Sequence, residues 1–208
     1  MTSADVDVTQ LGAESLGGYA PQRLSHLALI TYDAEATTSF YTNVMRMPLV
    51  AAVMHERVPS TGDLMPYLHI FFRMQDGSTI AFFEVPDLPQ AQPHPHPAFH
   101  VFNHIALEVE TVAEVDDWKR WVVSQGVEVL GPVDHTIIYS IYFFDPNGNR
   151  LEITTPLLPD WNDRPREAER AVRSWVRAKE QAAADGSDVS EALHELITSA
   201  EPSNFDVD

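Results

Sequence analysis

The chain has 208 residues, of which 44% are hydrophobic and 10% are aromatic, and its formal net charge is −18. The length and composition predict a globular protein of one ordinary domain or two small modules. The negative charge argues against nucleic-acid and anionic-membrane partners, and no apolar run is long enough to span a bilayer. The absence of cysteine excludes disulfides, thiolate metal sites and cysteine nucleophiles. Met1–Ala20 lacks the basic start and apolar core of a secretory signal. A chain without cysteine is compatible with a reducing cytoplasm, and we expect a cytoplasmic protein.

Residues 1–21 are polar and acidic, and we predict a flexible arm there. A first module is predicted over residues 22–98, where the apolar spacing of 34–46 indicates a helix. Apolar runs in this module predict strands at residues 24–31, 49–58, 67–73 and 80–85. The module ends in a Pro- and His-rich loop.

A second module is predicted over residues 99–156, with a helix at 112–124 that Gly126 ends. Its strands are predicted at residues 101–108, 127–130, 140–144 and 150–154. Residues 157–208 are predicted to form a helical C-terminal extension. Its first helix is expected to be capped by Asp163, a second is predicted at 187–199, and the last residues, 201–208, are expected to fray.

The two modules begin with near copies of one motif. Ser25-His26-Leu27-Ala28-Leu29 and Asn103-His104-Ile105-Ala106-Leu107 place a histidine at the same position in equivalent strands. Equal positions in a repeat imply equal orientation, so the two imidazoles are predicted to face each other. Together with a carboxylate they could hold a divalent metal. The alternative is that each histidine is an ordinary core residue.

Glu152 is the candidate carboxylate, because it lies inside the strand-like segment Asn149–Thr154. A carboxylate buried in a strand is costly without a partner. The alternative is an edge strand with Glu152 in solvent.

Two βαβββ units, a histidine early in each, and the segment Ile141–Glu152 together resemble the vicinal oxygen chelate superfamily. That superfamily includes glyoxalases, extradiol ring-cleaving dioxygenases and bleomycin- or fosfomycin-resistance proteins. The resemblance implies an α+β fold in which two paired βαβββ modules form a curved mixed sheet around one site. It also implies that His26, His104 and Glu152 are the metal ligands.

Members of the superfamily differ in whether a fourth protein ligand is present. Glu152 lies four residues after Gly148, and the residue four after Gly77 is Ala81, not an acid. The nearest acid, Glu84, lies at an odd offset from Ala81 and is expected on the opposite face of the strand, unless a bulge turns it back. Glu84 is therefore either a strand-end acid or a fourth ligand of the glyoxalase type.

The second module resembles catechol-type extradiol dioxygenases most closely. The resemblance implies that Tyr142, ten residues before Glu152, and His135, on the preceding loop, contact the substrate. The alternatives are a core aromatic and a solvated loop residue. The acid-base histidine of those enzymes would fall near Ser78, where this chain has none, and the nearby histidines are expected on an exposed loop: His94, His96 and His100.

The resemblance favours an Fe(II) extradiol-type dioxygenase that acts on a small catechol-like or other vicinal-oxygen substrate. One alternative is a glyoxalase-like lyase or isomerase that uses Ni or Zn, and Mn or Co are also possible metals. Another is a non-catalytic drug-binding protein without metal. A homodimer is expected, and the predicted cavity walls are aromatic: Phe71, Phe82 and Phe144.

Overall fold

The structure is a computed structural model in which residues 21–92 and 94–199 are described. Nearly all of the predicted arm, and the predicted frayed end at 201–208, lie outside these residues. The described chain divides into two compact units, one of residues 21–92 with 145–147 and one of 94–144 with 148–199. The limits of the four predicted segments stay predictions. None of the described helices combines the length and apolarity that crossing a bilayer requires.

The first unit contains one four-stranded mixed sheet and one helix. Helix α1 (Ala34–Ser39) starts where the Asp33 side chain accepts a hydrogen bond from the Ala36 amide, and it continues as a π-helical turn. The strands are β1 (His26–Ile30), β2 (Leu49–Arg57), β3 (Leu64–Arg73) and β4 (Thr79–Glu84). They lie in the order β1-β4-β3-β2, with β1 parallel to β4 and the other pairs antiparallel.

The core of the first unit lies between its sheet and the helix. Phe72, Ile80 and Phe82 are fully or almost fully buried, and the Tyr41 ring packs on Phe72 at 5.1 Å and on Phe82 at 4.9 Å between ring centroids. Because side chains alternate along a strand, residues one position away from these point to the opposite face of the sheet. That opposite face carries the first histidine of the repeat, His26.

The second unit repeats this order of elements. Its strands are β5 (Ile105–Glu108), β6 (Leu130–Asp134), β7 (Ile138–Phe144) and β8 (Arg150–Pro156), in the order β5-β8-β7-β6. Helix α3 (Val112–Ser124) follows β5 and buries Val115 and Val122. Buried residues of β7 and β8 face the helix side of this sheet: Ile141, Phe143, Leu151 and Ile153.

Two sequence predictions in the second unit are wrong. The strand predicted at 101–108 starts late, because Ala98–Phe102 form the short helix α2, and the Arg150 side chain bonds the carbonyls of His100 and Val101 at its end. The strand predicted at 127–130 lies at Leu130–Asp134 instead. Gly131 and Pro132 are unfavourable in a central strand, and they are tolerated here because β6 is an edge strand with an irregular register.

The C-terminal extension consists of helices α4 (Pro165–Asp185) and α5 (Val189–Ser199). Arg164, not the predicted Asp163, is the residue that precedes α4, and it makes no capping side-chain bond. The α+β class, the two βαβββ modules and the helical extension are confirmed.

Candidate functional site

In the first unit, the strand register determines which residues share a face with His26. His26 pairs with Thr79, Ala28 pairs with Ala81, and Ala81 pairs on its other side with Phe71. These residues therefore lie on the sheet face opposite the helix. His26 is exposed, and its Nδ1 lies 3.2 Å from the Ser25 hydroxyl oxygen, so the outer nitrogen, Nε2, is the atom available to a metal.

The register of the second unit shows the same pattern with different side chains. Ala106 pairs with Glu152, and Glu152 pairs on its other side with Tyr142. Ala81 thus occupies in the first unit the position that Glu152 occupies in the second, and Phe71 corresponds to Tyr142. The first unit offers no carboxylate at the repeat-equivalent position.

Glu84 lies on the other face of β4. Its Oε2 accepts a hydrogen bond of 2.6 Å from the Ala34 amide at the start of α1. The register of β4 with β1 and with β3 runs without a shift, so no bulge turns Glu84 toward the face of His26. Glu84 satisfies a helix N-terminus, where a negative charge is favourable.

The predicted site residues of the second module form one hydrogen-bonded chain. The Nε2 atom of His104 lies 2.8 Å from Oε2 of Glu152, and the Tyr142 hydroxyl donates to Oε1 of Glu152 at 2.9 Å. The same hydroxyl oxygen lies 2.9 Å from Nε2 of His135. Glu152 is only 1% exposed and Tyr142 only 8%, so the reading of Glu152 as a solvated edge residue is wrong.

The environment of Tyr142 keeps its hydroxyl protonated. Burial raises the pKa of Tyr142 above its usual value, and the hydrogen bond to Glu152 and the charge of that carboxylate raise it further. A tyrosine hydroxyl is protonated at neutral pH even without such a shift, so it donates to the Glu152 carboxylate and holds that carboxylate in one orientation.

His104 and Glu152 fit a divalent metal. Two ligands on one ion, each about 2.1 Å from it, are about 3.0 Å apart at a right angle and about 3.4 Å apart at a tetrahedral angle. The 2.8 Å between the His104 nitrogen and the Glu152 oxygen is the length of an ordinary hydrogen bond and lies near these values, so the two atoms need only a small separation to receive an ion. Imidazole and carboxylate are donors that Fe, Mn, Ni and Zn accept. Within residues 21–92 and 94–199, no three His, Asp or Glu side chains converge into a complete site.

Arg150 belongs to this face and was missed in the sequence. Its guanidinium carbon lies 4.3 Å from the centroid of the Tyr142 ring, a cation–π arrangement. Arg150 precedes Glu152 by two residues on β8. The alternation that places Glu152 on this face therefore places Arg150 there too, and this signal was available.

His69 on β3 was also missed. It pairs with Phe83 and so shares the face of His26, and its ring centroid lies 3.6 Å from that of Phe83, 4.1 Å from that of Phe71 and 6.3 Å from that of His26. His69 is 9% exposed, and its Nε2 atom is buried with no hydrogen-bond partner among the described residues. Burial lowers the pKa of His69, and nearby His26 lowers it further.

Two of the predicted cavity-wall residues lie on different faces of the first sheet. Phe71 is on the face of His26, whereas Phe82 is on the helix face, so its assignment to the cavity wall is wrong. The histidines predicted on an exposed loop are exposed, but His100 lies in helix α2 and not in a loop. The His94 ring stacks on Phe99, and the His96 ring nitrogen Nδ1 accepts from the Ala98 amide. Ser78 is bonded to Asp76 in a turn.

Comparison with known proteins identifies relatives for most of the chain. The family model described as Glyoxalase/Bleomycin resistance protein/Dioxygenase superfamily matches residues 23–153. Biphenyl-2,3-diol 1,2-dioxygenase 3 of Rhodococcus globerulus is 28% identical over 131 residues, which are 63% of this chain and 62% of that enzyme. The match thus spans under two thirds of the dioxygenase.

Two further relatives extend the comparison. Metallothiol transferase FosB of Staphylococcus epidermidis is 25% identical over 140 residues, which are 66% of this chain and 84% of the transferase. The crystal structure of a glyoxylase/bleomycin resistance protein/dioxygenase domain from Frankia sp. EAN1pec superposes with a TM-score of 0.54 at 14% identity. It covers 66% of this chain and 99% of that domain, and it supports the fold alone.

Proposed function

This chain belongs to the glyoxalase/bleomycin resistance protein/dioxygenase superfamily, and from that membership we propose that it is an Fe(II)-dependent extradiol-type dioxygenase. The substrate class that we propose is a catechol-like aromatic molecule with two adjacent oxygens. The 28% identical biphenyl-diol dioxygenase supports this choice. Members of the superfamily are mostly metal-dependent enzymes that act on small molecules.

The observation that carries the proposal is the hydrogen-bonded chain of His135, Tyr142, Glu152 and His104. We propose that His104 and Glu152 are metal ligands and that His26 is the third ligand, on the evidence of the internal repeat. Two histidines and one carboxylate are the ligand set of non-haem Fe(II) oxygenases, in which iron keeps open positions and supplies the redox chemistry for O₂.

The protein groups have distinct roles in this proposal. Tyr142 orients the Glu152 carboxylate through its hydrogen bond, a type of support on which metal sites depend. His135 and the Tyr142 hydroxyl stand next to each other and orient a substrate oxygen. Arg150 over the Tyr142 ring keeps that ring in place. Ring cleavage of this type places both atoms of one O₂ in the product and needs no external reductant.

Metal removal and replacement test the proposal. Protein purified without a chelating tag and stripped with a chelator is reconstituted anaerobically with Fe(II), Mn(II), Ni(II), Zn(II) or Co(II). Only the Fe(II) form is expected to consume O₂ with catechol and to give a ring-opened product that carries two added oxygen atoms. An Fe(II)-loaded protein that consumes no O₂ with any catechol tested would contradict the proposal.

A second candidate is a metal-dependent transferase, lyase or isomerase that does not use O₂. The 25% identical metallothiol transferase supports it, whereas the helix-capping role of Glu84 disfavours the four-ligand glyoxalase variant. The Ni(II) and Zn(II) forms, with a thiol hemithioacetal as substrate, test the lyase or isomerase activity. A protein that binds no stoichiometric metal would instead support a non-catalytic binding role.

Iron as the native metal, a homodimeric assembly and a cytoplasmic location belong to the same proposal. Elemental analysis of the untagged protein and native mass spectrometry measure the first two directly. A two-chain species with one iron per chain is the expected result.

A further inference from the structure

We propose that His69 is a substrate-binding residue whose Nε2 atom hydrogen-bonds a hydroxyl group of an aromatic substrate held beside His26. The inference rests on the proposed function, because that function places the substrate next to His26. It adds a residue from β3 to a site that the repeat motif and the closing strand otherwise define.

The first support is the unsatisfied state of His69. Its ring lies between Phe83 and Phe71, and its Nε2 atom is buried without a partner in the described part of the chain. A buried polar atom without a hydrogen bond costs about 1–3 kcal/mol, and such atoms in native proteins call for an explanation, of which a functional role is one. A phenylalanine would fill the same aromatic environment without that cost.

The second support is distance, which separates a substrate contact from direct metal binding. Two imidazoles in adjacent positions on one ion, each bound at about 2.1 Å, would have ring centroids about 4.5 Å apart at a right angle and about 5.2 Å apart at a tetrahedral angle. The centroids of His26 and His69 are 6.3 Å apart. The separation is too wide for His69 to be a second ligand next to His26 on one ion, so the role that we assign to His69 is contact with a ligand held beside His26.

The neighbouring side chains indicate the class of ligand. The ring centroid of Phe71 lies 5.8 Å from that of His26 and 4.1 Å from that of His69. The Phe83 ring stacks on His69. Ala81, which pairs with Phe71, adds no bulk to this face. Aromatic rings favour an aromatic ligand, and the imidazole nitrogen favours a hydroxyl group on it.

This chain has no histidine at the position near Ser78 where the resemblance to extradiol dioxygenases would place one. The Ser78 hydroxyl and amide both bond the Asp76 carboxylate. His69 supplies an imidazole on the face of His26 from a different strand.

The test is calorimetric binding of catechol to protein loaded with Zn²⁺, an ion without redox chemistry, in the wild type and three variants. His69→Phe keeps the ring and removes the nitrogen, and we expect about tenfold weaker binding. His69→Gln keeps a polar group and is expected to retain most of the affinity. His55→Phe is the matched control, because His55 lies on the same face against Tyr67, and it should bind catechol like the wild type.

The unfolding temperature of the metal-free protein distinguishes a substrate-binding role of His69 from a structural role. His69→Phe is expected to raise the thermal unfolding temperature, because it removes an unsatisfied buried atom, while it weakens catechol binding. A His69→Phe protein that binds catechol as tightly as the wild type would overturn the inference, as would an equal loss in His55→Phe.

The outcomes also distinguish the inference from the proposed reaction. Ring cleavage by the wild type together with unchanged catechol binding by His69→Phe overturns the inference and leaves the reaction intact. Catechol binding that depends on His69, without O₂ uptake by the Fe(II) form, overturns the reaction and supports the inference. If neither the Zn²⁺-loaded nor the Fe(II)-loaded protein binds catechol, both the inference about His69 and the proposed dioxygenase reaction are overturned.

Discussion

Single side chains in this protein are positioned by the groups that meet their polar atoms. Glu152 is a carboxylate in the interior of a sheet, where an unpaired charge would be strongly unfavourable, and its two oxygens are met by His104 and Tyr142. The orientation of the carboxylate therefore depends on a neighbour that needs no contact with the metal.

Tyr142→Phe tests this dependence. The variant loses the hydrogen bond to Glu152 and the contact with His135, and loss of such supporting groups typically costs about 10–100-fold in metal affinity or activity. We expect a decrease of this size in kcat/KM for catechol, measured by O₂ uptake.

Tyr139→Phe is the matched control for that variant. Tyr139 lies on the opposite face of the same strand, and its hydroxyl donates to Asp116 at 3.2 Å. Tyr139→Phe should leave kcat/KM nearly unchanged. An equal loss of kcat/KM in both variants would contradict the role of Tyr142.

Tyr41 offers a prediction about stability and pH. Its buried hydroxyl donates to Asp145 at 3.1 Å, so Tyr41→Phe should lower the free energy of unfolding by about 1–2 kcal/mol near pH 8. Burial raises the pKa of Tyr41 well above its usual value, and the charge of Asp145 raises it further.

The sign of the pH effect follows from that shift. The unfolded chain releases the Tyr41 proton near pH 10 while the folded protein retains it, so this contribution to stability is lost as pH rises above about 10. The free energies of unfolding of the wild type and Tyr41→Phe, measured by urea denaturation, should differ less at about pH 10.5 than at pH 8. A difference that widens would contradict the assignment.

Among the elements, the end of a strand and the start of a helix are joined through Glu84. Its carboxylate accepts a hydrogen bond from the Ala34 amide, and the Asp33 side chain accepts one from the Ala36 amide in the first turn of the same helix. In the sequence, Glu84 is a candidate for a fourth metal ligand; in the structure, it binds the start of a helix.

Glu84→Gln separates the two roles. Loss of the charge at the helix N-terminus should lower the free energy of unfolding by about 0.5–1 kcal/mol, while metal affinity measured by calorimetry stays at the wild-type value. A large fall in metal affinity would instead support a fourth-ligand role and the glyoxalase-like alternative.

The irregular edge strand β6 gives a second prediction at this scale. Gly131 has φ of +105°, and a Cβ there would lie 2.9 Å from the Ser140 carbonyl oxygen. Gly131→Ala should lower the unfolding free energy by about 1–3 kcal/mol through backbone strain, and by more because of this contact.

Gly148→Ala is the control for that substitution. Its φ is +82°, but a Cβ there meets no atom within 4 Å, so it carries the backbone cost alone. Urea denaturation should rank Gly131→Ala below Gly148→Ala in stability, and the reverse order would contradict the crowding at Gly131.

For the whole molecule, the net charge of −18 is the dominant electrostatic property. Excess charge of one sign destabilises the compact state through self-repulsion, and salt screens it. Raising NaCl from low to moderate concentration should raise the unfolding temperature, and a gain of 1 kcal/mol corresponds to about 2–4 °C at this chain length. Calorimetry measures this directly, and a lower unfolding temperature in salt would contradict it.

The internal repeat made much of the fold predictable. The sequence places similar residues in similar strands, and both units have the same strand order and pairing. The segments that were predicted wrongly, Ala98–Phe102 and Leu130–Asp134, are those where distant contacts override local preference. Arg150 bonds the end of α2, and pairing with β7 draws Gly131 and Pro132 into an edge strand.

By itself, the sequence determined the features that follow from alternation within one strand. The odd offset between Ala81 and Glu84 was sufficient to predict that they face opposite ways, because the side-chain period of a strand is two. Only the tertiary structure decided which residues of different elements meet, such as His69 with His26 or Arg150 with the end of α2. Such meetings depend on strand order and register, which arise from contacts between residues far apart in the chain and are absent from any local pattern.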